Sequence, residues 1–301
     1  MPGGEEPAAA QEKQTLGHFS ALMTIIVWGT TFISTKILLK TFAPVEILFL
    51  RFVIGFLLLW ILSPGRLNGL SRKQELTFAA AGLSGICLYY LLENMALTYT
   101  LASNVGVIVS VVPFFTAIVS RFLLKDEEKL RPMFFVGFLF AMAGICMISF
   151  GGSSLHLDPT GDLLSLLAAV VWSFYAVFSK KINSYGYSTI QTTRHCFFYG
   201  VLFMIPALFL FGFSPDLTAL KEPLLLGNLL FLALGASALC YVTWNFSVRI
   251  LGALKASVYI YLGPVVTVAA SVLILHEKLT VTTIIGTLLT LAGLFLSELR
   301  R

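Results

Sequence analysis

Charged residues are scarce in this sequence. Asp, Glu, Lys and Arg make up 12% of its 301 residues, while 57% are hydrophobic. A water-soluble domain carries about 25% charged residues, so this chain has too little polar surface to coat the apolar surface it contains. A soluble fold is excluded, and a mean hydropathy of +0.90 makes lipid the solvent for most of the chain. Polar stretches long enough for a separate soluble domain are also lacking. So is period-two alternation, and continuous apolar runs favour helices over the strands of a barrel. The four cysteines, Cys87, Cys146, Cys196 and Cys240, all fall in apolar segments without metal-ligand spacing and read as thiols packed between helices. There is no GxxxxGK[ST] cradle for a nucleotide phosphate, no HExxH and no GxSxG. Those gaps speak against an ATP-driven pump and an intramembrane enzyme, and neither metal nor cofactor is expected.

What the chain does have is ten apolar segments, at 18–40, 44–63, 75–98, 103–124, 132–150, 161–183, 188–212, 224–246, 252–275 and 280–297. Most are near the roughly 20 residues that a helix needs to cross a bilayer. Residues 1–17, MPGGEEPAAAQEKQTLG, are polar and small, and are expected to form a disordered cytoplasmic tail. No basic stretch leads a short apolar run there, so the first helix reads as an uncleaved anchor. Counting the segments alternately, fourteen of the twenty Lys and Arg fall on one side and four, Lys36, Lys40, Lys221 and Lys278, on the other, with Arg51 and Arg194 inside segments. The positive-inside rule then puts both termini in the cytoplasm. The net charge of +5 is a signal of topology, and no nucleic-acid partner is expected.

The sequence repeats itself. IVWGTTFISTKI runs from Trp28 to Lys36 in eight steps, and VVWSFYAVFSKKI runs likewise from Trp172 to Lys180. At an offset of 151, Tyr90, Asn94, Ala102, Pro113, Thr116 and Ser120 return as Tyr241, Asn245, Ala253, Pro264, Thr267 and Ser271. Glu128–Leu130 (EKL) returns at Glu277–Leu279. The halves are residues 18–150 and 161–301, joined by a linker at 151–160. Each holds five crossings, an odd number, so the second copy must enter the membrane inverted. The expected fold is all-α integral membrane, ten transmembrane helices in two inverted five-helix repeats, an architecture typical of secondary transporters.

The two-part pattern, the Trp-to-Lys phrase, ALTYTLASNVGVIVSVVPFFTAIVSRFLLKDEEKL and its echo LGALKASVYIYLGPVVTVAASVLILHEKL together resemble the EamA family of the drug/metabolite transporter superfamily. The resemblance implies a cell-membrane carrier without an ATP-binding module. That superfamily includes exporters of amino acids and other metabolites. The halves need not contribute equally to a site, since Glu93 aligns with Trp244.

Polar residues in lipid are costly and mark candidate sites. Arg51 and Glu93 sit at matching depth on adjacent segments, where they could form an ion pair or together hold a zwitterion. Glu93 is also a candidate proton carrier, as is His195, which is equally read as a packing residue. The Tyr90/Asn94 and Tyr241/Asn245 pairs each share a helix face, and are read either as cavity lining or as interhelical glue. Trp244 belongs to an aromatic supply that includes Trp28, Tyr89 and Trp172. Substrate-binding candidates are thus Arg51, Glu93, Tyr90, Asn94, Tyr241, Trp244 and Asn245. Pro113 and Pro264, each about ten residues into a helix, are hinge candidates. Lys36 and Lys180 read as helix-end anchors or a gate, and Glu128 and Glu277 as solvated caps with little chemistry. Small residues at Gly137, Ala141 and Gly144, echoed at Gly286, Thr290 and Gly293, could seal the halves together or form a dimer face, so a monomer and a homodimer both stay open.

The leading expectation is a secondary carrier exporting amino acids or related metabolites across the cell membrane by alternating access. An organic-cation or drug efflux carrier is the alternative, and a non-transporting receptor or scaffold a third.

Overall fold

The computed structural model describes residues 5–123, 132–150, 159–251, 256 and 258–298. Ten helices follow one another among these residues: α1 (Glu5–Leu38), α2 (Pro44–Leu62), α3 (Arg72–Tyr99), α4 (Ala102–Leu123), α5 (Pro132–Phe150), α6 (Pro159–Asn183), α7 (Thr189–Phe211), α8 (Pro223–Leu251), α9 (Gly263–Leu275) and α10 (Val281–Glu298). No strand occurs among the described residues. Seven of the helices are long and apolar enough to cross a membrane, and three shorter apolar ones, Pro132–Ile148, Gly263–Leu275 and Val281–Leu296, complete the set. Their outward side chains include Phe122, Phe209, Leu210 and Leu273, each about three-quarters exposed or more. Such a surface is stable only against lipid tails.

The two halves pack in a matching way. Exchange α1 with α6, α2 with α7, α3 with α8, α4 with α9 and α5 with α10, and the most extensive neighbour pairs map onto one another. α1 packs on α8 and α9, while α6 packs on α3 and α4; α2 meets α8 as α7 meets α3. The pairs α2–α7, α4–α9 and α5–α10 are their own images. Residues on the axis meet their own copies: the Trp28 and Trp172 rings lie 5.7 Å apart, edge to face, and Tyr90 and Tyr241 lie 6.5 Å apart. The fold is two inverted five-helix repeats.

The small-residue faces of α5 and α10 meet each other within the one chain. A Cβ on Gly144 would strike the Gly286 carbonyl at 2.5 Å, and one on Gly293 the Gly137 carbonyl at 2.5 Å. These faces therefore seal the halves together, and close backbone approach is what small residues permit in lipid.

Two local features depart from the sequence reading. α1 begins at Glu5, so residues 5–17 are helical where a disordered tail was expected. The physical reason is composition, since the run AAAQEKQ is rich in strong helix formers. Residues 1–4 and 151–158, the latter most of the expected linker, lie outside the described residues, as do Glu128 and Ala253. Second, α3 and α8 each widen into a π-helical stretch, at Leu83–Leu88 and Phe231–Leu239. The two occupy equivalent places in the repeat, and such widened turns leave carbonyls free for other donors.

Candidate functional site

Between the halves lies a cavity of about 80 Å³, bounded by α1, α3, α4, α6 and the start of α9. Its walls are largely aromatic and apolar, with Trp28, Phe32, Tyr89, Tyr90, Trp172, Ile25 and Ile260. One carboxylate faces it, that of Glu93, which is 1% exposed. Glu93 Oε1 has no hydrogen-bond partner among the described residues. Thr31 and Ser110 also line the space, but their hydroxyls already donate within their own helices, to the Trp28 and Val107 carbonyls.

The rings form a continuous box. Tyr89 sits 4.6 Å from Trp172 and 4.7 Å from Tyr90, and Trp28 lies 5.4 Å from Trp244. Backbone carbonyls freed by the π-helical stretches hold the box in place. Trp28 Nε1 donates to the Ala236 carbonyl at 2.9 Å, and Tyr241 Oη to the Gly85 carbonyl at 2.8 Å. Gly85 itself is pressed against Tyr175, so no side chain fits there. Each π stretch thus takes a hydrogen bond from an aromatic residue of the opposite repeat.

Arg51 is wholly buried but does not face the cavity. Its Nε donates to Ser237 Oγ at 3.0 Å, and its guanidinium lies 4.5 Å from the Tyr90 ring centre. Both Nη nitrogens lack a hydrogen-bond partner among the described residues. No hydrogen bond joins Arg51 to Glu93; Tyr90, flanked by both, shows one face to the guanidinium and lines the cavity that holds the carboxylate.

The remaining candidates disperse. Asn94 Nδ2 donates to the Pro44 carbonyl at 3.1 Å, tying α3 to the start of α2. Asn245 accepts from Ser179 Oγ at 2.9 Å and donates to Thr193 Oγ1 at 3.1 Å, tying α8 to α6 and α7. Both are interhelical glue in this geometry. Tyr241 and Trp244 back the box from behind Trp28. His195 is far from the cavity: its Nε2 is 2.9 Å from Glu75 Oε2, which also accepts from Tyr199 at 2.8 Å. Glu75 and Glu93 are eighteen residues apart on α3, about 27 Å at 1.5 Å per residue. Arg194 donates to the Ser63 and Gly65 carbonyls beyond the end of α2.

Pro113 and Pro264 are not buried in unbroken helices. α4 breaks at Ser110–Val111 into Ala102–Val109 and Val112–Leu123, and α9 follows a 3₁₀ turn at Val258–Leu262. Each proline is the second residue of its segment, where the missing N–H costs little. The cavity is lined at both breaks, by Ser110 and Val112 on one side and by Gly263 and Pro264 on the other.

Glu277 has more chemistry than its solvated position in sequence implies. Its carboxylate accepts from the Ala102 N–H at 2.9 Å, the Ser103 N–H at 3.3 Å and Ser103 Oγ at 2.7 Å, capping α4 from the other repeat. Lys36 Nζ donates to the Leu97 and Thr100 carbonyls, at 2.6 and 2.7 Å, at the end of α3.

The chain is similar to a family of transporters. The EamA-like transporter family matches residues 15–150 and again 159–299, one copy on each half. An uncharacterized transporter of Archaeoglobus fulgidus is 29% identical over 290 residues, covering 94% of this chain and 98% of its own. The uncharacterized inner membrane transporter YedA of Escherichia coli is 30% identical over 264 residues, covering 85% and 82%. A protein of known crystal structure shares the fold at 21% identity, with a TM-score of 0.62 over 96% of this chain and 99% of that one.

Proposed function

The chain belongs to the EamA-like transporter family, and from that premise we propose that it is a secondary carrier moving a small amphipathic amine outward across the cell membrane by alternating access. That it is a multi-pass membrane transporter and not an enzyme follows from the family. The amine is our reading of the cavity. The observation that carries it is Glu93, a buried carboxylate with an oxygen unpartnered among the described residues, set in a wall of aromatic rings. A protonated amine fits both features, because the carboxylate supplies an opposite charge and ring faces attract cations. Amino acids and organic cations share that group. A substrate carboxylate would need Arg51, whose Nη nitrogens are unpartnered among the described residues but lie off the cavity. Those free nitrogens favour amino acids as the second reading, with Tyr90 turning aside to admit the carboxylate.

Alternating access is supported by the exchange symmetry of the neighbours and by helix breaks at Pro113 and Pro264 beside the cavity, which serve as the hinges. The lone Glu93 is the candidate for proton exchange against substrate. His195, at the far end of α3, is left with a packing role.

Flux of amino acids and of quaternary and primary amines in proteoliposomes tests the substrate. Glu93→Gln should weaken binding of every transported amine by about 2 kcal/mol, roughly thirtyfold in Kd. Arg51→Gln should spare amines that lack a carboxylate. Loss of all transport in Arg51→Gln, with the protein folded, would replace the amine reading by the amino-acid one. Unchanged affinity in Glu93→Gln would remove both.

A further inference from the structure

Glu277, Ser103, Lys36, Thr100 and Asp162 meet at the α3–α4 turn, and we propose that they form a gate plate that locks one mouth of the cavity shut. The inference rests on the carrier reading and adds to it the device that holds one side closed.

The geometry begins with two helix ends. α3 finishes at Tyr99 with unpaired carbonyls, and α4 starts three residues later with unpaired N–H groups. A cation belongs at the first and an anion at the second. Lys36 of α1 takes the Leu97 and Thr100 carbonyls, and Glu277, from the α9–α10 connection, takes the Ala102 and Ser103 amides. The ammonium and the carboxylate also attract each other through space. Thr100 Oγ1 donates to Asp162 Oδ1 at 3.0 Å, bringing in α6, and accepts from Asn104 Nδ2 at 3.1 Å.

Four of the elements joined, α1, α3, α4 and α6, also line the cavity, and Glu277 follows the far end of α9, whose start lines it. Lys36 lies four residues beyond Phe32, Ala102 four residues before Gly106, and Thr100 seven residues beyond Glu93. At about 1.5 Å per residue the plate sits roughly 6–10 Å above the cavity walls. Opening this mouth requires α4 to leave α9, and the two are in tight contact where Gly106 meets Thr267. Glu277 is the only link in the plate that crosses from the second repeat onto the start of α4 among the described residues. It therefore acts as a positioning residue for the transport cycle: it never meets substrate, and its carboxylate sets how readily this face opens. The sequence repeats the parts, since Lys36 and Glu277 are echoed by Lys180 and Glu128.

Sidedness of labelling tests this. The full chain, with its four cysteines replaced and Val109→Cys placed in the cavity wall, is reconstituted in vesicles. A membrane-impermeant methanethiosulfonate is then added from either face. Glu277→Gln should label at least about fivefold faster from the plate's face and more slowly from the other, as expected for a shifted two-state equilibrium. Lys36→Met should shift labelling the same way, and Glu277→Asp should restore much of the starting pattern. Rates within about twofold of the parent on both faces, in folded protein, overturn the gate. A merely structural role would raise labelling from both faces alike, and that outcome overturns it too. If Glu277→Gln does not fold, Lys36→Met is judged by the same criterion. The carrier reading fails on a different result: no flux of any tested amine or amino acid through the parent in proteoliposomes, whatever Glu277 does.

Discussion

At the scale of single residues, lipid makes polar atoms conspicuous and leaves their partners obscure. Glu93 and Arg51 stand out in the sequence because a charge in hydrocarbon is costly, and both are buried. Nothing in the sequence tells that Tyr90 lies against the guanidinium and that the carboxylate alone faces the cavity, because that depends on how three helices turn about their axes. Asn94 and Asn245 show the same limit. Their spacing puts each on one face with a tyrosine, and only packing reveals that the amides bind neighbouring helices. The tyrosine of the second pair is open to test. Tyr241→Phe removes the donor to the Gly85 carbonyl and leaves a buried acceptor unpaired. Unfolding of the purified protein in detergent should show a loss of about 1–3 kcal/mol. An unchanged melting curve would mean that the π stretch of α3 holds its shape without that bond.

At the scale of elements, the ten helices were legible because bilayer thickness fixes how long an apolar run must be. Their irregularities were less so. LSGICL and FLALGASAL carry no local signal for a π-helical stretch; the widening accompanies donors arriving from the opposite repeat, Tyr241 in one case and Trp28 in the other. The prolines were visible, but as kinks in continuous helices, whereas they open new segments beside breaks. A break that lines the cavity can flex without disturbing the seal between α5 and α10. Replacing Pro113 or Pro264 by Ala should therefore lower turnover several-fold while Kd stays within about twofold. Equal losses in flux and binding, measured by initial rates and equilibrium titration, would argue against hinges there. Glu277 was the element-scale surprise, since a cap supplied across 174 to 175 residues leaves no trace in local sequence.

At the scale of the whole molecule, the duplication was the most informative feature of the sequence, because an odd number of crossings per copy forces inversion. Trp28 meeting Trp172 at the axis is the contact that an inverted repeat brings about. With fourteen Lys and Arg on one side and four on the other, the positive-inside rule predicts that the first and last residues lie together in the cytoplasm. Tags added at either end should both resist protease in intact cells and both be cut after permeabilisation; one tag cut from outside would break the inverted arrangement. The buried guanidinium has an electrical meaning as well. Arg51 places a positive charge inside the insulating layer with its Nη nitrogens unpartnered among the described residues, and any rocking that alters its depth is work done with or against the membrane voltage. A full crossing is worth about 2.3 kcal/mol per 100 mV, so even a fractional displacement tilts the cycle. Uptake of an electroneutral solute should then speed or slow as potassium diffusion potentials are imposed, and in Arg51→Gln that dependence should flatten.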